Sequence, residues 1–71
     1  MKEYLVVYEE GPKSWSAYVP DLPGVFAAGK SRAEVERLIG EAIVEHIEVL
    51  RAEGMPIPEP TQTAGAVTVA A

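Results

Sequence analysis

The chain has no cysteine and no asparagine, and its 71 residues include one histidine, one aspartate and one glutamine. Without cysteine there is neither a disulfide framework nor a thiolate cage for zinc. A single imidazole excludes a zinc site built from several. Positive charge is scarce as well: six Lys and Arg stand against eleven Asp and Glu, giving a net charge of −5. Domains that wrap nucleic acid carry the opposite sign, so no direct DNA binding is expected. A basic protein partner suits this charge better. Nothing approaches the roughly 20 apolar residues of a membrane span. The N-terminus, Met1-Lys2-Glu3-Tyr4, lacks the charged-then-apolar layout of a signal peptide, so the expected location is the cytoplasm. The dearth of Asn and Gln suggests a thermophilic source.

What is present is a globular composition, 48% hydrophobic, in a chain long enough for one small domain. Residues 1–71 form that domain. Tyr4-Leu5-Val6-Val7-Tyr8 is β-branched and aromatic and too short for a helix, which predicts a strand. Turn residues 9–13 separate it from a second strand over 14–19. Pro20-Asp21-Leu22-Pro23-Gly24 is a breaker cluster in which Pro23-Gly24 fits the centre of a type II turn. A third short strand, Val25 to Ala28, closes at Gly29.

The helix is the best-defined element. Ser31 and Glu34 form a capping-box pair. Val35, Leu38, Ile39, Ala42, Ile43, Ile47 and Leu50 then repeat as one apolar stripe. Gly54 sits where a left-handed C′ residue belongs, and Pro56 blocks continuation, so the helix should run from Arg32 to about Glu53. The alternating prolines of 55–60 favour an extended path. Ala66 to Ala70, β-branched at its centre, is the expected fourth strand. The fold class is therefore α+β, ordered β-β-β-α-β, with three antiparallel strands and one long helix packed on one sheet face.

These elements resemble a known family. The run from Trp15 to Gly29, with its aromatic strand, P-D-L-P-G turn and small-residue strand, is similar to the second and third strands of HicB-like antitoxins. Lys30 to Val35 resembles the start of their helix, Glu41-Ala42-Ile43 its middle, and Glu53 to Pro60 its exit. The resemblance covers residues 4–60 in order. It implies a partial ribonuclease H-like fold. It also implies a partner, a small basic HicA-type toxin that cleaves messenger RNA and is neutralised by an antitoxin bound over its active site. Many members carry a C-terminal DNA-binding module. None follows the expected fourth strand here, so operator binding is not carried over.

Candidate chemistry is thin. A two-metal nuclease site needs several converging carboxylates. Asp21 lies in a turn where aspartate serves local hydrogen bonding, while Glu3, Glu9 and Glu10 sit at strand edges or in a turn. Neither catalytic nor metal-binding nor cofactor-binding residues are assigned. His46 falls on the apolar helix face without a Ser, Cys or Asp partner, which reads as a packed or interfacial histidine. Lys30 and Ser31 at the helix start lack any Walker spacing, so phosphate binding is not expected there.

Two surfaces stand out. Glu34, Glu41, Glu45 and Glu48 fall within about 60° of one another at 100° per residue. Val44 interrupts this acidic side, so Glu41, Val44, Glu45 and Glu48 are the expected contact residues for a basic partner. The second surface comes from strand alternation. One helix can cover one face of the sheet, and Tyr4, Val6, Tyr8 and Tyr18 are assigned to the other. That patch predicts self-association into a dimer or tetramer. Three functions compete: an antitoxin, a self-assembling protein without a toxin, and a residual metal-dependent ribonuclease.

Overall fold

The computed structural model describes all 71 residues. Strands β1 (Val7–Glu10), β2 (Trp15–Tyr18) and β3 (Phe26–Gly29) are followed by one helix, α1 (Arg32–Ala52). The strands form an antiparallel meander in chain order. The α+β class and the order of three strands then a helix are as expected.

The register decides which side chains meet. Tyr8 pairs with Ala17 and Ala17 with Ala27, so these three share a face. Val7, Tyr18 and Phe26 share the other. Helix α1 lies over β2 and β3 on the Ala17 side. The core there is small: Ala17, Val19, Leu22, Val25, Val35 and Ile39 are buried. Tyr4, Val6, Tyr8 and Trp15 pack partly buried against it.

This corrects the expected self-association patch. Tyr4, Val6 and Tyr8 belong to the core side, and of the four only Tyr18 faces away from the helix. Alternation tells which residues of one strand share a face, but not which face they take. The hairpin connection fixes that phase, and here it pairs even-numbered residues of β1 with odd-numbered residues of β2. Arg32 reinforces the arrangement, its guanidinium lying 4.3 Å from the Tyr8 ring centre and 5.9 Å from that of Trp15.

The connection after β2 does more than turn. The N–H of Leu22 donates to the carbonyl of Val19, and the N–H of Val25 donates to that of Leu22. This tight path drives Leu22 into the core, where it is fully buried. Gly24, with φ of 86°, takes the left-handed position that a side chain would strain.

Both helix ends are capped as the sequence suggests. The Ser31 hydroxyl accepts from the Glu34 N–H at 3.1 Å, an arrangement that contributes about 1 kcal/mol. The Glu34 carboxylate reaches back one residue further than the standard box, accepting from the Lys30 N–H at 2.7 Å. Its side chain lies where a Cβ on residue 29 would go, so Gly29 makes room for the cap. At the other end Met55 N–H donates to the Leu50 carbonyl and Gly54 N–H to that of Arg51. With Gly54 at φ 68° this is a Schellman stop.

Residues 66–70 do not form the expected fourth strand, on which the ribonuclease H-like description depends. Their β-branched centre suits a pleated surface, but propensity supplies no edge to pair with. Residues 61–71 are all exposed. The Cα radius of gyration is correspondingly large, 14.1 Å, against about 11 Å for a compact chain of this length.

Candidate partner-binding surface

The solvent side of α1 carries a shallow hollow lined by Glu36, Arg37, Gly40, Glu41, Val44 and Glu45. Helical spacing puts these residues together, and Gly40, lacking a side chain, leaves the notch between them. Open space surrounds the position a Cβ would take there. Two ion pairs flank the notch, Arg32 to Glu36 at 3.0 Å and Arg37 to Glu41 at 3.1 Å, both at i,i+4 spacing and both exposed. Such exposed pairs contribute little to stability. Glu45 is left without a cationic partner, and Val44 offers an exposed apolar contact beside it.

Of the four expected contact residues, Glu41, Val44 and Glu45 thus line one hollow, and Glu48 lies exposed further along the helix. Glu34 leaves the acidic stripe, because its carboxylate is committed to the helix start. Glu36 takes its place. Sequence reasoning missed Glu36 and Gly40; the signal was a glycine in the middle of a helix, at a cost of about 1 kcal/mol relative to alanine.

His46 is partly exposed in a second cleft with Gly24, Val25, Phe26, Ala42, Glu45 and Val49. It sits at the border between the core side and solvent. No three His, Asp or Glu side chains converge to hold a metal ion. No helix is long and apolar enough to cross a membrane.

Asp21 is structural, as expected of a turn aspartate, but its partners are distant in sequence. Its carboxylate accepts from the Thr61 hydroxyl at 2.6 Å, the Thr61 N–H at 2.8 Å and the Gln62 N–H at 3.1 Å. The Thr61 hydroxyl and then its N–H hold the carboxyl below its ordinary range, with the Gln62 N–H adding to them against a small desolvation effect. A lowered folded pKa means that the clamp's stabilisation is complete above the unfolded value of about 3.9 and fades as pH falls through the lower folded value. In an NMR titration the Thr61 and Gln62 amide resonances should therefore move together with a midpoint below about 3.9. A midpoint at or above that value would show that the clamp does not form.

The comparisons with known proteins agree with this architecture. A family model described as a HicB_like antitoxin of a bacterial toxin-antitoxin system matches residues 4–69. The chain belongs to this antitoxin family. A search of curated proteins finds no match. Among solved structures, this HicB-like chain is similar to a chain of a HicA3 and HicB3 toxin-antitoxin complex, with a TM-score of 0.70 and 33% identity. That match covers 84% of this chain and 70% of the other. HicB-like membership points to a role in binding rather than catalysis.

Proposed function

We propose that this HicB-like chain is an antitoxin that neutralises a small basic HicA-type toxin by binding over its RNA-cleaving active site. The observation that carries this reading is the likeness to a chain of a solved HicA3 and HicB3 complex, at 33% identity over most of both chains. The net charge of −5 supports it, because an acidic surface steers a basic partner into contact. The Gly40 notch is the docking point in this reading. Glu45, which has no cationic partner, suits a lysine or arginine side chain there, and Val44 gives that side chain's aliphatic stem an apolar surface.

Co-expression tests the proposal. A short basic chain encoded beside this one should arrest growth when expressed alone. Growth should return, and the two chains should purify together, when both are made. Arrest that persists at equal expression of both chains would refute the antitoxin function.

A further inference from the structure

We propose that the hollow between α1 and residues 55–60 is an apolar socket for the HicA-type toxin, taking an aliphatic side chain that neighbours the lysine or arginine entering the Gly40 notch. The socket rests on the antitoxin reading and adds to it how the partner is held once it has arrived.

The hollow follows from a mismatch of lengths. Helix α1 has 21 residues and is about 31 Å long at 1.5 Å each. A four-residue strand spans about 13 Å, and three strands side by side about 10 Å. The helix therefore outruns the sheet it packs on. Its apolar stripe is buried at Val35 and Ile39 and only half-buried at Ile43 and Ile47. Beside this second half the chain returns through residues 55–60, which are tied to the N-terminal segment. The Tyr4 hydroxyl donates to the Pro58 carbonyl, and Lys2 pairs with Glu59. The cover they give is incomplete. It leaves a hollow of about 430 Å³, lined chiefly by Tyr4, Ile43, Val44, Ile47, Arg51 and Ile57.

The position of Val44 indicates what fills it. This residue lines both the Gly40 notch and the hollow, and it is 56% exposed between them. Gly40, Val44, Ile47 and Arg51 follow one another at helical spacing along one side of α1. A side chain that reaches Glu45 at the notch thus brings its neighbours to the hollow. Charge decides between a toxin and a second copy. A two-fold contact would set this patch against itself, Glu41, Glu45 and Glu48 included, at a net charge of −5 on each chain. A basic chain meets the same carboxylates with attraction. Lys2 is neutralised by Glu59, whereas Arg51 has no carboxylate partner. The cationic side chain therefore enters at the Glu45 end and the apolar one at the Ile47 end. The two parts divide the binding between them: the carboxylates speed encounter, and the buried apolar side chain slows escape.

Stopped-flow association and dissociation of the short basic chain encoded beside this one tests the socket, with the full antitoxin chain as the partner. Ile47→Ala on α1 and Ile57→Ala on the returning segment should each raise the dissociation rate about tenfold and leave the association rate within about twofold. Val49→Ala, exposed on α1 but outside both hollows, should leave both rates unchanged. Circular dichroism checks that each variant is folded. The wild-type complex gives a second measurement that needs no substitution: methyl NOEs should run from Ile47 and Ile57 to an aliphatic side chain of the basic chain. A wild-type chain that forms no complex would overturn the antitoxin reading and the socket with it. A tight complex without those NOEs, or with unchanged dissociation in folded Ile47→Ala and Ile57→Ala, would overturn the socket alone. So would NOEs from these methyls to a second copy of this chain.

Discussion

Leu22→Ala is expected to leave the chain largely unfolded in water at room temperature. Leu22 is fully buried at the centre of a core of only six residues. Truncating a buried leucine to alanine costs about 2–5 kcal/mol, rising with the volume of the cavity that remains. A core in a chain of this size supplies about 3–5 kcal/mol in total. The site cannot easily collapse to fill the void, because Leu22 is held on both sides by backbone hydrogen bonds to Val19 and from Val25. Urea unfolding followed by circular dichroism would measure the loss, and Leu22→Met, which conserves volume, should cost less than about 1.5 kcal/mol. A Leu22→Ala variant within about 1 kcal/mol of wild type would show that this residue is not central to the core.

Reversing Glu41, Glu45 and Glu48 to lysine together should slow association with a HicA-type toxin by about tenfold or more at low salt. Electrostatic steering acts on encounter, so the effect should fall mainly on the association rate and shrink as salt is added. The three residues are exposed, so the fold should tolerate the change. Stopped-flow binding at two salt concentrations separates the outcomes. Unchanged rates at both would move the contact off this face of α1. A slower rate with an unaltered salt slope would mean that the side chains act by shape.

The parts of this fold that are written locally were legible. Ser31, Glu34 and Gly54 mark the helix ends, and the observed helix, Arg32–Ala52, stops one residue short of expectation. The stripe from Val35 to Leu50 gave the buried side correctly. What depends on distant partners was not legible. Tyr8 alternates with Val7 whichever way β1 is laid down, and only the pairing of Tyr8 with Ala17 puts it under Arg32. Leu22 read as part of a turn, since breakers surround it, yet a lone leucine among two prolines, an aspartate and a glycine was the available hint of an inward side chain. Asp21 behaved similarly: its residue type predicted hydrogen bonding, but its partners, Thr61 and Gln62, lie some forty positions on. The acidic site was half legible, because helix geometry groups Glu41, Val44 and Glu45 without help from the rest of the chain.

The span of the Asp21 clamp carries a consequence for the order of folding. The sheet follows chain order and the helix packs on the strands just before it, so everything up to Ala52 assembles from near neighbours. Local topologies of that kind collapse fast. Joining Asp21 to Thr61 instead closes a long loop, whose entropy cost grows only slowly with length but must be met before any of its hydrogen bonds form. The clamp is therefore a late step, added to a body that already holds its shape. During synthesis the sheet and helix can pack before Thr61 exists, and the clamp at Thr61 and Gln62 closes last.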